Sequence, residues 1–195
     1  MEYHINLPVK QKLINKLAIG DIVYLTGTVY TARDKAHLRI IEYSKNKMHI
    51  PFDLNSGVIY HCGPLIRKED GIWKVVSAGP TTSNRLLDLT PYILEKFNVK
   101  FLIGKGGMVG LADEFKRHSS VYLAYTGGCA ALASQLTKKI SAVYWEDFGM
   151  AEAVWELYIE DFGPLIVGID SHGNDIFKNV KESATKSFKN VILNR

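Results

Sequence analysis

The chain has 195 residues and a mass of 21.9 kDa, and its 47% apolar and 23% charged residues are typical of a folded protein with one large domain or two small ones. No apolar run approaches the roughly 18 residues of a membrane span, no secretory pattern is visible, and Cys62 and Cys129 form neither a disulfide framework nor a metal-site spacing. The net charge of +4 is small and scattered, which argues against nucleic-acid binding, so we expect a cytoplasmic α/β or α+β protein.

The first half of the chain is rich in β-branched and aromatic residues, which favour strands. Residues 21–30 form the longest such run, and shorter runs that contain or end at glycines predict strands at 57–63 and 73–79. Ahead of them, residues 9–17 have the pattern of a short amphipathic helix that would end near Gly20. We therefore expect one helix and then three strands before residue 80.

The second half alternates between apolar runs and helical patterns. Predicted strands lie at 100–103, 121–125, 142–145 and 165–169, and predicted helices at 86–97, 111–118, 130–138 and 175–193. This alternation is typical of the α/β class, with a mostly parallel central sheet and flanking helices. Because no repeat or linker interrupts the pattern, we expect a single domain over residues 1–195.

A charged cluster follows the first long strand. Arg33, Asp34 and His37 lie in the segment 31–39, at the carboxyl end of that strand, where α/β proteins usually bind ligands. Arg33 could clamp a carboxylate, Asp34 could orient it, and His37 could transfer protons near neutral pH. The simpler interpretation is a polar loop with one structural salt bridge, and the spacing alone favours that interpretation.

Three hydroxyl side chains and an arginine follow the strand predicted at 73–79. Thr81, Thr82 and Ser83 precede a helical run, so that free backbone N–H groups and hydroxyls could surround an anion. Arg85 would lie within reach of the same anion. Ordinary capping of the helix explains these residues equally well.

A glycine-rich turn with one lysine follows the strand predicted at 100–103. Residues 104–108, Gly-Lys-Gly-Gly-Met, do not match a P-loop, in which the lysine follows the glycines, or the dinucleotide fingerprint, which would need glycine in place of Val109. What remains is a tight turn that admits a ligand beside Lys105, or a plain strand-to-helix turn. Further along, we expect Cys129 to be a small buried residue rather than a nucleophile.

Arg33, Arg85 and Lys105 share one setting, because each follows a predicted strand and lies in a polar or glycine-rich turn. Together they predict three cations that converge at the strand ends on a ligand with two carboxylates. The sequence predicts no metal site within this chain.

Taken in order, these motifs resemble the β region of the class I iron–sulfur hydro-lyases, which comprise fumarate hydratase and L(+)-tartrate dehydratase. The resemblance extends from about residue 20 to residue 178 and rests on segments 27–37, 63–64, 79–85, 104–108, 127–130, 149–155 and 170–175. Ala151 departs from the family, in which proline is usual, and His61 lies at a position that we expect to vary.

The resemblance implies a swivelling β/β/α domain that works with an α subunit, as a heterotetramer. In this family the α part holds a 4Fe–4S cluster through three cysteines. This chain has only two cysteines and cannot supply that set, so it resembles the β subunit and is expected to bind no cluster alone. Neither nucleic acid nor a membrane is implied as a partner.

The implied reaction is the reversible hydration of fumarate to (S)-malate, in which the open iron of the cluster acts as a Lewis acid. By position, Arg33, Arg85 and Lys105 match substrate-binding residues, and Thr81 matches a threonine placed to act as the base. The Thr81 hydroxyl would need Arg85 or Lys105 nearby to stabilise its alkoxide. Asp34 and His37 are the alternative proton carriers, and the sequence does not choose among the three.

Two other functions remain open. One is the β subunit of L(+)-tartrate dehydratase, whose substrate differs by one hydroxyl group. The other is a non-catalytic module that binds a dicarboxylate without a cluster-bearing partner.

Overall fold

Nine strands and six helices make up residues 1–193, the part of the chain that the computed structural model describes. The strands are β1 (Glu2–Asn6), β2 (Ile22–Thr31), β3 (Val58–Tyr60), β4 (Leu65–Glu69), β5 (Ile72–Ser77), β6 (Phe101–Gly104), β7 (Val121–Ala124), β8 (Thr137–Tyr144) and β9 (Val154–Ile169). The helices are α1 (Gln11–Ile14), α2 (Asp34–Lys45), α3 (Thr90–Phe97), α4 (Ala112–Arg117), α5 (Ala130–Leu136) and α6 (Ile176–Leu193). Single 3-10 turns lie at Ser83–Leu86 and Glu146–Phe148.

Seven strands form one mixed sheet in the order β1-β2-β3-β6-β7-β9-β8, and β4 and β5 form a separate hairpin. The pairs β1–β2, β2–β3, β3–β6 and β6–β7 are all parallel. Parallel neighbours need a crossover connection, and α2, α3 and α4 lie between successive parallel strands along the chain. The predicted α/β class with a mostly parallel central sheet is confirmed.

The last strand, β9, closes this sheet on itself. Its 16 residues pair antiparallel with β7, with β8 and with β2, so β2, β3, β6, β7 and β9 form a continuous ring of hydrogen-bonded strands. Shifts of register in all three pairings allow the long strand to bend from one partner to the next.

Two buried apolar clusters cover the two faces of the parallel strands. Phe101 and Ile103 of β6 belong to one cluster, together with Phe162 of β9. Leu102, between them, points to the opposite face and belongs to a second cluster with Ile93 of α3 and Phe115 of α4. Successive side chains of a strand alternate between faces, so a continuous apolar run such as this one indicates burial on both sides.

Several elements differ from the sequence-based expectation. The charged segment at 31–39 is largely helical, because α2 begins at Asp34 directly after β2. The predicted helix at 86–97 is divided into a 3-10 turn and α3, and Pro91 lies in the first turn of α3, where its missing N–H costs no hydrogen bond. The strands β1 and β4 were not predicted, and the strand expected at 165–169 is only the end of β9. Within the described residues, no helix has the length and apolar character needed to cross a bilayer.

Candidate functional site

Arg33 lies immediately after β2 and before the first residue of α2. Its Nε atom is 3.5 Å from Oε1 of Glu152, yet this buried nitrogen has no hydrogen-bond partner among residues 1–193. The guanidinium passes closely over Gly63, where an added Cβ would lie 2.5 Å from Nη1. Because its side chain is 24% exposed, Arg33 is a largely enclosed cation with unused donor capacity that opens to solvent.

An ion pair joins the start of α2 to the 3-10 turn at Ser83–Leu86. Arg85 donates from Nη2 to Oδ2 of Asp34 over 2.9 Å. Asp34 directly follows Arg33, so this contact brings the segment with the first arginine beside the segment with the second.

Backbone hydrogen bonds fix Lys105 beside the same turn. Lys105 N–H donates to the carbonyl of Thr81 over 3.0 Å, and Ser83 N–H donates to the carbonyl of Lys105 over 3.0 Å. Thr81 N–H in turn donates to the carbonyl of His61, just after β3, over 2.6 Å. The segments that follow β2, β3 and β6 are therefore connected, and they lie at the carboxyl edge of the parallel strands.

Lys105, the third predicted cation, lies at the surface. It is exposed, it has no ion-pair partner within the described part of the chain, and its Cδ lies 2.9 Å from the point that a Cβ at Gly127 would occupy. A glycine at 127 thus leaves room for the lysine stem to cross the segment that follows β7. The structure brings together the segments of Arg33, Asp34, Thr81, Arg85 and Lys105, and the roles of these residues stay predictions.

His37 lies beneath these side chains rather than among them. Its ring is fully buried, and its Nδ1 is 2.8 Å from the carbonyl oxygen of Arg33, one turn earlier. Burial lowers the pKa of His37 below its usual value, an effect only partly offset by that carbonyl and by the charge of Asp34. Its proposed part as a proton carrier stays a prediction, whereas its contact with the Arg33 backbone is direct.

A buried group of polar residues adjoins His37 and was missed by the sequence analysis. His61 Nδ1 is 2.8 Å from Oγ of Ser83, and Oη of Tyr122 is 3.0 Å from the same Oγ. The rings of His61 and His37 lie edge to face, 5.3 Å apart. The signal was present, since His61 interrupts an apolar run from 58 to 62, and a buried polar residue in such a run needs a partner.

One of the two cysteines differs from expectation in its burial. Cys62 is the buried one, and burial raises the pKa of its thiol to about 12. Cys129 was expected to be buried but is partly exposed, at the start of α5, and its Sγ contacts the carbonyl of Thr126. Neither thiol is therefore placed as an activated nucleophile.

A protein-family model described as "Fumarase C-terminus" matches residues 1–180 of the chain. The chain belongs to this family. Among curated relatives, a protein of Methanocaldococcus jannaschii named "Putative L(+)-tartrate dehydratase subunit beta" is 47% identical, and the match covers 98% of this chain and 99% of that protein. The "L(+)-tartrate dehydratase subunit beta" of Escherichia coli is 39% identical over 93% of this chain and 90% of its own length.

A region similar to this chain also occurs within a longer protein. A "Putative fumarate hydratase class I" of Geobacillus stearothermophilus is 37% identical to this chain, with 91% of this chain but only 34% of the longer protein in the match. The same unit is thus found as a separate chain of about 200 residues and as about one third of a larger one.

The residues of this family member do not fit a 4Fe–4S cluster. Such a cluster needs several thiolate ligands held close together, and of the two cysteines here one is enclosed in the apolar core. Among the described residues there is no group of three His, Cys, Asp or Glu side chains that could hold a metal ion. The acidic residues beside the site, Asp34 and Glu152, instead pair with arginines.

Proposed function

We propose that this chain is the β subunit of a hydro-lyase that reversibly adds water to fumarate to give (S)-malate, together with an α subunit that holds a 4Fe–4S cluster. The relatives named as tartrate dehydratase β subunits and as a fumarate hydratase support the hydro-lyase class and the division into subunits. The observation that carries the proposal is the junction of the segments bearing Arg33, Arg85 and Lys105 at one edge of the sheet.

The cations of this edge suit a short molecule with a carboxylate at each end. Arg33 has a buried Nε without a hydrogen bond, and a guanidinium binds a planar carboxylate through two parallel N–H donors. Lys105 adds a positive charge from the neighbouring strand end. Arg85 is already oriented by Asp34 through one nitrogen, which leaves its other donors for the ligand.

Thr81 is the residue to which we assign removal of the carbon-bound proton. Its backbone N–H and carbonyl are both hydrogen-bonded, to the carbonyl of His61 and the N–H of Lys105, so the backbone position from which its side chain extends is fixed. A threonine hydroxyl is a weak base, and the positive charges of Arg85 and Lys105 would stabilise its alkoxide and the negative charge that develops on the substrate. Asp34 and His37 remain the alternative proton carriers.

The test is reconstitution with the α subunit. We expect no activity and no colour from the isolated chain, and the loss of fumarate absorbance when the chain is mixed anaerobically with a cluster-loaded α subunit. No hydration by that mixture would contradict the enzyme proposal and leave a non-catalytic dicarboxylate-binding module. A stable brown cluster on the isolated chain would contradict the assignment as β subunit.

A second candidate is the β subunit of L(+)-tartrate dehydratase, which is favoured by the names of the two relatives that match this chain over 99% and 90% of their own length. The two substrates share both carboxylates and differ in one hydroxyl group, so the same cations would serve either. Comparing kcat/KM for (S)-malate and L(+)-tartrate with the reconstituted enzyme separates them. The size of the native complex, for which we propose a heterotetramer, follows from its mass in solution.

A further inference from the structure

A row of buried polar groups lies directly beneath the candidate site. It runs from the carbonyl of Gly106 through Oη of Tyr122 and Oγ of Ser83 to Nδ1 of His61, with successive distances of 2.7, 3.0 and 2.8 Å. The side chains of Tyr122, Ser83 and His61 are all fully buried, so the position of each proton in the row is determined by the neighbouring protein atoms. We call these three side chains the buried relay.

The direction of donation along the buried relay follows from counting protons. A carbonyl oxygen can only accept, so the single proton of Tyr122 is donated to Gly106. The contact between Tyr122 and Ser83 must then use the proton of Ser83. Since Ser83 has no second proton, His61 must donate from Nδ1 to Ser83 Oγ.

His61 is therefore expected as the neutral tautomer that carries its proton on Nδ1. Burial and the neighbouring His37 both lower its pKa, so the ring stays neutral near pH 7. His37 obeys the same logic, because its Nδ1 faces the carbonyl of Arg33. Both Nε2 atoms are then bare acceptors, and both are buried without a partner among residues 1–193.

The buried relay fits only because residue 104 has no side chain. A Cβ added to Gly104 would lie 1.8 Å from Oγ of Ser83 and 3.1 Å from Nδ1 of His61. Gly104 immediately precedes Lys105, and Ser83 lies between Thr81 and Arg85. Oγ of Ser83 thus joins the turn that bears Thr81 and Arg85 to the end of β3 through His61, and through Tyr122 to the carbonyl of Gly106, the residue after Lys105.

We propose that His61, Ser83 and Tyr122 are positioning residues, which hold the turn of Thr81 and Arg85 in register with Lys105 through hydrogen bonds donated in one fixed direction. The expected effect of these residues on catalysis rests on the function proposed above. The direction of the hydrogen bonds and the anchoring of the turn do not depend on that function. Two measurements on the intact chain and one on the reconstituted enzyme test it.

The first measurement is the tautomer of His61, read from long-range proton–nitrogen correlations of the chain labelled with nitrogen-15 in histidine. We expect protonated Nδ1 and bare Nε2 in the wild type. Tyr122→Phe removes the group that imposes the direction, so Ser83 can turn its proton towards His61 and the Nε2-protonated form should appear. Tyr158→Phe, on an exposed side chain, should change nothing. An Nε2-protonated His61 in the wild type would overturn the proposal, as would an unchanged tautomer in Tyr122→Phe.

The second measurement is hydrogen exchange of the backbone amides at positions 83 and 105, which donate to Lys105 and to Thr81. Ser83→Ala should speed both at least tenfold, because the turn loses its buried anchor. Ser134→Ala, which removes a hydroxyl bound only to its own helix, should leave them unchanged. Equal exchange rates of these amides in the two variants would contradict the proposal that Ser83 holds the turn in place.

In the reconstituted enzyme, Ser83→Ala should lower kcat/KM on the order of a hundredfold, with kcat falling through Thr81 and KM rising through Arg85. If the wild-type enzyme is active and Ser83→Ala equals it, the positioning role is wrong and the proposed function stands. If the wild-type enzyme is inactive while the tautomer and exchange results hold, the proposed function fails and the hydrogen-bond assignment stands.

Discussion

Arg33 is a cation whose hydrogen-bonding capacity is partly unused in the folded chain. Glu152 lies near its Nε, but at 3.5 Å this contact is an ion pair without hydrogen-bond geometry. A buried donor without a partner costs free energy, which a bound carboxylate would recover. The cost of keeping it unpaired is what makes this arginine informative about a ligand.

Replacing Arg33 with alanine should therefore remove binding energy from the substrate and from the transition state. We expect kcat/KM of the reconstituted enzyme to fall by the equivalent of about 2–5 kcal/mol, because one substrate carboxylate would lose its enclosed partner. Arg85→Ala should act in the same direction. Arg117→Ala is the matched control, since that side chain is 66% exposed and pairs with Glu114 of its own helix. Wild-type kcat/KM in the Arg33 and Arg85 variants would rule out a dicarboxylate clamp.

At this scale the sequence was informative where charged residues follow apolar strands. Arg33, Arg85 and Lys105 could be named because cations in polar turns after strands are visible as a local pattern. Ser83 could only be described as a possible cap, because its true partners, His61 and Tyr122, are 22 and 39 residues away. Contacts of that range depend on how the strands are ordered, which no local pattern contains.

Two elements, α2 and the end of β3, bring a pair of neutral imidazoles together in the interior. His37 is the fourth residue of α2, and His61 follows β3 directly. Both pKa values are lowered by burial, so both rings are uncharged in the folded state near neutral pH. In the unfolded chain they would titrate near pH 6.5.

The stability of the chain should therefore fall in mild acid. Below about pH 6.5 the two histidines bind protons in the unfolded state but not in the folded state. The free energy of unfolding therefore drops by at most about 1.4 kcal/mol per pH unit for each histidine. Above that pH the contribution is complete. Urea unfolding at several pH values between about 5 and 8 measures the slope.

Substitutions test whether the two buried histidines cause this dependence of the free energy of unfolding on pH. His61→Gln should flatten it, whereas His49→Gln, on an exposed side chain, should leave it as in the wild type. Identical slopes in the wild type and in His61→Gln would show that the ring of His61 is not held neutral.

The elements that could be predicted are those whose pattern is local. The strand β6 was recognised because burial on both faces gives a continuous apolar run. The helix α6 was recognised from its helical pattern. The strand β1 was missed, since Glu2, His4 and Asn6 look like a polar terminus until β2 is present to pair with them. The helix α2 was missed because its charged first turn lies at the site and resembles a loop.

For the molecule as a whole, β9 is the element on which closure of the sheet depends. Leu157 shows why, since it is fully buried and is paired with Val29 of β2 on one side and with Ile140 of β8 on the other. Only the last five residues of this strand could be predicted from the sequence, because its central part carries acidic and aromatic residues on the outer face and so has no continuous apolar run.

Truncating Leu157 should destabilise the whole fold. Leu157→Ala leaves a cavity between two strand pairs and should lower the free energy of unfolding by about 2–5 kcal/mol. Tyr158→Ala, at the next position and 41% exposed, should cost clearly less, and denaturant unfolding of the two variants provides the comparison. Equal losses would mean that the ring of strands is not closed by β9 as described.

The β4–β5 hairpin leaves the sheet and returns to it at almost the same point. Cys62, just before the hairpin, and Pro80, just after it, are joined by an isolated antiparallel bridge, and Thr81 N–H bonds back to His61 beside that bridge. The two ends of the hairpin are therefore joined at its base, and the length of the hairpin does not affect the position of Thr81 and Arg85. Its exposed tip, at Asp70 and Gly71, can therefore change in length or side chains, for instance to suit a different neighbouring subunit, while the residues at its base keep the same spacing.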